Sequence, residues 1–408
     1  MMKFFLDLKI LKHNRNFRLL FIGQTISFFG TMITSVAFPY QIYQLTHSTL
    51  MVGLLSLVQL IPLLFTALLG GVFADRYHRR KLLLISEFLL ALACLVLVYN
   101  ASLDTPHVWL LFIIAPIMSA VTGLHRPALD SIKQQIVAKE DFPAVGALVI
   151  SISNVAMIAG PAVGGLIIAH FGLVITYLID FATFLISLIA LLLMQGIPKP
   201  KWMRDESTFS ALKSGLRYAV SRQELMGSYL VDFTAMIFGM PNALFPAIAA
   251  TQGGPQILGL LYAAPAVGAL FFSVFSGWTN DVKRHGIAIA ISAALWGVAI
   301  ILFGFIISIN LWTALFFLAL AGGFDAISGV FRSVMWNQTI PQEYRGRLAG
   351  IEMISYLSGP KLGDTEAGLV AAAFGVTFSV VSGGILCIVG VAACCYFLPK
   401  FVKYRSVH

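Results

Sequence analysis

The sequence predicts an all-α polytopic membrane protein, with twelve transmembrane helices arranged as two six-helix bundles. Three observations predict it. The 408 residues are 59% hydrophobic and only 11% charged, with mean hydropathy +0.88, too few polar groups to cover a soluble protein of this length. Apolar stretches of about 18 residues or more recur along the chain, each long enough to cross roughly 30 Å of hydrocarbon as a helix. Charged residues and glycines of the first half reappear in the second at a near-constant offset. The segments are uniformly apolar instead of alternating between two faces, which excludes a transmembrane β-barrel.

In order, the spans read as 17–45, 48–74, 82–101, 107–136, 143–169, 172–194, 214–249, 256–279, 287–309, 311–340, 346–373 and 375–399. The leader MMKFFLDLKILKHNRNF has no small-residue cleavage site after a short apolar core, and reads as an amphipathic lead-in to an uncleaved first span. QGIPKPKWMRDESTFS is the one substantial polar break. It divides the chain into bundles 1–194 and 213–408, joined by a linker over 195–212.

The net charge of +9 follows the topology. All but three of the 27 Lys and Arg residues fall in or beside the leader, the 2–3, 4–5, 8–9 and 10–11 connections, the linker region and the tail. The alternate loops (THST, NASLDTPH, AHFG, TQGGPQ, AAFGVT) carry none. This asymmetry places both termini in the cytoplasm and requires an even number of spans. The bases therefore describe insertion into a lipid bilayer and not a nucleic-acid partner. Cys94, Cys387, Cys394 and Cys395 all lie in spans, where they read as small packing residues; no disulfide framework or metal-ligand spacing is present.

The repeat is specific. Gly71-x-x-x-Asp75 returns as Gly277-x-x-x-Asp281 and Arg126 returns as Arg332, both at an offset of 206. Gly160 and Gly165 return as Gly363 and Gly368 at an offset of 203. Two halves of the same orientation form a parallel repeat about an axis along the membrane normal, the plan of alternating-access transporters. No nucleophile-plus-base set or Gly-Lys phosphate loop points to an enzyme.

The charged residues then divide into groups. In GGVFADRYHRRK, the glycines allow close helix approach, Asp75 and Arg79 stand at i,i+4, and Arg76 and Arg80 are expected to face lipid phosphates or the facing half. With Arg126 and Asp130, also i,i+4, they form a candidate conformational latch. Ionisable groups inside spans cost roughly 2.5–3.5 kcal/mol each at the bilayer centre on insertion scales, so they are candidates for function. Asp325, Asp232, Asp364, Glu366 and Asp180 are the candidates for proton coupling. Arg332 lies seven residues after Asp325, on the same helix face. Lys361 and Asp364 are placed to pair at i,i+3, in a helix that Gly359, Pro360 and Gly363 are expected to distort. Substrate contacts are expected from Arg332, Lys361, Gln24, Gln41, Asn154, Asn242, Phe38 and Tyr262, because amides and charges in lipid need partners and aromatics supply pocket surface. Such a lining suits a large carboxylated or polyphenolic anion, and equally an amphipathic drug.

These stretches resemble a known family. GGVFADRYHRRK is similar to motif A of the major facilitator superfamily (G-x-L-a-D-R-x-G-R-R/K), with His78 where a second glycine is usual. AMIAGPAVGG, containing Gly160, Pro161, Gly164 and Gly165, resembles the superfamily's motif C, a pattern of drug:proton antiporters. THSTLMVGL, GLLYAAPAVGA and the Gly363–Asp364 pair look like the bacterial enterobactin-exporter group, and RPALDSIKQQIV is similar to the wider branch that holds macrolide-efflux proteins. The resemblance implies a monomeric exporter in a bacterial cytoplasmic membrane that moves a small organic molecule outward by proton antiport. A siderophore is the first expectation, and a multidrug or macrolide-type substrate the alternative. It implies no cofactor beyond the proton gradient, and no metal.

Overall fold

A computed structural model of the chain describes residues 9–197 and 208–406. Within them, nothing is described of Gly71 beyond its backbone, nor of the side chains at 72, 74–76, 208–213, 343, 345, 347 and 349, among them Asp75, Arg76, Arg345 and Arg347. The described chain is helical throughout: α1 (Lys9–His13), α2 (Arg15–Thr46), α3 (Thr49–Arg76), α4 (Arg79–Ser102), α5 (Val108–Ile136), α6 (Phe142–Leu193), α7 (Thr208–Ser221), α8 (Gln223–Phe238), α9 (Phe245–Gln252), α10 (Pro255–Val274), α11 (His285–Ile306), α12 (Leu311–Thr339), α13 (Gln342–Phe374), α14 (Val376–Phe397) and α15 (Pro399–Lys403).

Ten stretches of the described residues are long and apolar enough to cross a membrane. One of them, Lys139–Leu193, has 55 residues. At 1.5 Å per residue that is about 80 Å, enough for two crossings. Gly172, at φ +75, interrupts it where the sequence places the AHFG loop. Helix α13 adds a further crossing; its 33 residues are long enough, and Lys361, Asp364, Glu352 and Glu366 dilute its hydropathy. The total is the twelve spans expected of this all-α polytopic fold.

Two helical segments differ from expectation. The seventh span, read as 214–249, is three pieces: α7 stands apart, and α8 and α9 are separated by Gly239–Leu244. Pro241 and Pro246 remove donors there, and side chains satisfy the freed groups. Trp296 Nε1 donates to the Gly239 carbonyl at 2.9 Å, and the Ala243 amide donates to Asp364 at 3.0 Å. Conversely, α13 runs unbroken through Gly359, Pro360 and Gly363, where distortion was expected. Gly363 instead lies against the Met236 and Ile237 carbonyls, where an added Cβ would approach within 2.6 and 2.8 Å.

The chain divides into two compact units. Unit 1 contains Met1–Thr46, Val58–Arg204 and Gly254–Gly259; unit 2 contains His47–Leu57, Asp205–Gly253 and Leu260–His408. Each unit holds a glycine contact that reproduces the sequence repeat. In unit 1, a Cβ on Gly165 would lie 2.4 Å from the Pro255 carbonyl and 2.9 Å from Gly259 Cα. In unit 2, a Cβ on Gly368 would lie 2.6 Å from the Thr49 carbonyl and 2.9 Å from Gly53 Cα. Gly53 and Gly259 are themselves 206 residues apart, so they extend the repeat to a pair the sequence comparison had not matched.

Candidate functional site: buried charge in each unit

Unit 2 centres on a permanent cation. Arg332, on α12, is buried, and its Nη1 meets Asp232 of α8, which is also buried. Its Nη2 reaches Asp325, one face and two turns earlier on α12, at 3.6 Å. The Asp325 side chain keeps 39% of its surface exposed, against 10% for Asp232. One guanidinium thus serves two carboxylates, one held tightly and one loosely.

Asp364 is engaged elsewhere in unit 2. Besides the Ala243 amide it accepts from Ser56 Oγ at 2.9 Å, so it joins the broken seventh span to the start of α3. Lys361 lies one turn before it. Tyr262 donates to the Asn242 carbonyl at 3.2 Å and stacks edge-on against Phe245. Glu366 lines an apolar groove of about 710 Å³ with Phe305, Phe374 and Phe378, apart from the arginine cluster's residues.

Unit 1 centres on an acid. Glu87, on α4, is fully buried and was not among the candidates read from sequence. It accepts from Gln24 Nε2 at 2.6 Å and from Ser27 Oγ at 3.4 Å, and its Oε1 lies 3.1 Å from His125 Nε2. Gln24 also donates to Ser187 Oγ at 2.9 Å. The signal for Glu87 was present: it is the one acid in LLLISEFLLALACLVLVYN. His125 was overshadowed by Arg126 beside it. Asp180, also fully buried, accepts from Thr183 Oγ1 at 3.2 Å and from Cys94 Sγ at 3.6 Å. Gln41 accepts from Tyr177 at 2.7 Å, and the Tyr177 ring packs on Phe38. Asn154 is exposed and joins none of these groups.

The candidate latch needs two corrections. Arg80 does not present its guanidinium to lipid phosphates or another half: Nε and Nη2 donate to the Leu191 and Leu192 carbonyls at 2.8 and 2.7 Å. These are last-turn carbonyls of α6, where Leu191 otherwise accepts only a long bond from the capping Met194 amide at 3.4 Å, and a cation there also complements the helix dipole. Asp130 does not pair with Arg126; it pairs with Lys133 at 3.1 Å, and Arg126 is exposed. Arg79 opens α4, and Gly71 and the side chains of Asp75 and Arg76 lie outside the described residues. The antiporter-motif glycines make close helix contacts. A Cβ on Gly160 would lie 2.4 Å from Met32 Cβ, and one on Gly164 3.0 Å from the Ile33 carbonyl; Pro161 is buried beside them.

Residues 11–405 match the family model described as transmembrane secretion effector. The chain belongs to that family, within the major facilitator superfamily. Among its relatives are proteins named enterobactin exporter EntS. That of Salmonella choleraesuis (strain SC-B67) is 28% identical over 388 residues, 94% of this chain and 93% of its own. That of Shigella boydii serotype 18 is 28% identical over 389 residues, 95% and 92% of the two chains. Similar solved structures include a point mutant of the nucleoside transporter NupG (TM-score 0.72, 16% identity, 94% of this chain and 99% of that one). Another is a bacterial homologue of the human lysosomal transporter Spinster (TM-score 0.72, 14% identity, 96% and 99%). These neighbours show the fold, and the family model and the named relatives show a multi-pass membrane transporter.

Proposed function

We propose that this secretion effector exports a siderophore-type anion across a bacterial cytoplasmic membrane by proton antiport. The observation that carries the reading is Arg332, buried between Asp232 and Asp325 in a chain that aligns along nearly its whole length with enterobactin exporters. A buried guanidinium in a membrane span is costly, and its donor fork matches a carboxylate or catecholate oxygen pair. An anionic substrate would place its oxygens on one edge of Arg332 while its own hydroxyl or amide donors bond to ionised Asp325, the loosely held partner. A proton on Asp325 removes that acceptor, so that substrate and proton exclude each other. That exclusion is the basis of antiport.

The repeats 1–194 and 213–408, joined by 195–212, would open the site to either side in turn, with both termini in the cytoplasm as the basic segments suggest. The driving force suffices. One charge moving through about 150 mV supplies roughly 3.5 kcal/mol, enough for a gradient of several hundredfold.

Inverted membrane vesicles containing the protein should accumulate enterobactin when energised, and a protonophore should abolish the accumulation. Accumulation of a macrolide but not of enterobactin would select the drug-efflux alternative. Enterobactin transport indifferent to collapse of the proton gradient would remove antiport.

A further inference from the structure

We propose that Glu87 and His125 form a proton-binding pair in unit 1, a second proton site beside the acids around Arg332. Its role in transport rests on the proton-coupled reading above; its chemistry does not.

Glu87 lies in the third turn of α4 and has no exposed surface. Its carboxylate is met from three other helices: Gln24 and Ser27 from α2, His125 from α5, and Ser187 of α6 through the Gln24 amide. None of these is a permanent cation, and among the described residues the only ion pair Glu87 makes is with His125. The neighbouring titratable groups of the unit supply no positive charge either. Cys94, two turns further along α4, and Asp180 of α6 hold each other, and Tyr177 is committed to Gln41.

A buried carboxylate without a fixed cation must be balanced by a mobile one. Imidazole is the side chain whose charge changes under ordinary conditions, whereas guanidinium does not lose its proton. With neutral His125 and ionised Glu87 the site carries one negative charge. Adding one proton, whether on the ring or on the carboxyl, brings it to zero. Gln24 and Ser27 donate to the carboxylate and hold its oxygens towards the ring in either state. The Glu87 side chain has no exposed surface, while that of His125 keeps 14%, so the ring is the route by which a proton enters and leaves.

Infrared difference spectra of the full chain in lipid vesicles, recorded between acid and alkaline buffer, test the binding. A carboxyl band and imidazole ring bands should appear, and the carboxyl band should vanish in Glu87→Gln with helical content unchanged. Should Glu87→Gln insert poorly, Gln24→Ala keeps both titrating groups and should move the titration midpoint. Carboxyl and imidazole bands both identical in wild type and Glu87→Gln, or a midpoint unmoved in Gln24→Ala, overturn the pair.

Transport tests the role, with enterobactin as probe in proteoliposomes held at zero voltage. One proton per cycle is worth a tenfold gradient per pH unit. Glu87→Gln and His125→Gln should therefore each sustain about a tenfold smaller gradient at a one-unit pH difference. A wild-type gradient that responds to pH while both variants match it overturns the pair's role in transport and leaves antiport standing. A pH-insensitive wild type that retains the infrared band supports the site and overturns antiport.

Discussion

Arg126 and Arg332 occupy the same place in the repeat, 206 residues apart, yet their surroundings are opposite. Arg332 is buried between two carboxylates, whereas Arg126 is exposed and its neighbour His125 makes the inward contact, to Glu87. One residue along a helix turns the side chain by about 100°, so neighbours on one helix meet different surroundings. At the two equivalent positions unit 2 buries both Phe331 and Arg332, whereas unit 1 half-buries His125 and exposes Arg126, so the copies share the arginine but not its surroundings. Unit 2 has a fixed cation with two acids; unit 1 has a buried acid with a titratable base. A fixed cation suits an anionic substrate, and a titratable pair suits a proton.

The largest expected effect separates the two arginines. Arg332→Ala leaves Asp232 buried without its partner, a loss of about 3–5 kcal/mol for breaking a buried pair. Arg126→Ala should stay within about 0.5 kcal/mol of wild type, as exposed substitutions usually do. Thermal unfolding of the two purified variants in detergent measures the difference, and equal losses would erase the distinction between the units.

Asp325→Asn is expected to weaken the pH dependence of export while enterobactin still binds, since Arg332 keeps Asp232 and gains a freer edge. Vesicle transport over a range of pH, beside equilibrium binding, checks this. An unchanged profile would move the whole coupling role to unit 1.

The glycine contacts should behave alike in both units, because there the repeat is preserved. Gly165→Ala and Gly368→Ala place a Cβ 2.4 and 2.6 Å from a backbone carbonyl, and each should destabilise by about 1–3 kcal/mol. A large loss in one and none in the other would show that the symmetry is only apparent. The smallest effect is expected at Arg80. Arg80→Ala removes the cation from the last carbonyls of α6 and should lower stability by about 0.3–1 kcal/mol, read as a small drop in melting temperature.

Glu87 shows how much of the site could be read in advance. A lone acid inside an apolar span is visible in the sequence, and so is the amide of Gln24, but their meeting is not. The contact unites α2, α4 and α5, and residues 24, 87 and 125 have no common spacing. Asp364 makes the same point from the other side. It is visible as an intramembrane acid, yet its oxygens are occupied by Ser56 and by the backbone of a broken span. Asp130 and Arg126 have ideal i,i+4 spacing, yet Lys133 takes the acid one turn on.

By itself the sequence determined the number of crossings, the six-span repeat, the glycine faces and the pattern of basic segments. Each follows from properties local to a stretch: apolar length against a fixed hydrocarbon thickness, the absence of a side chain, the sign of a loop's charge. Only the tertiary structure decided which of two equivalent arginines is buried, which acids share it, and that Glu87 rests on a histidine. Those outcomes depend on which side chains of neighbouring helices meet. That is set by how the helices pack on one another, which no spacing within a single helix records.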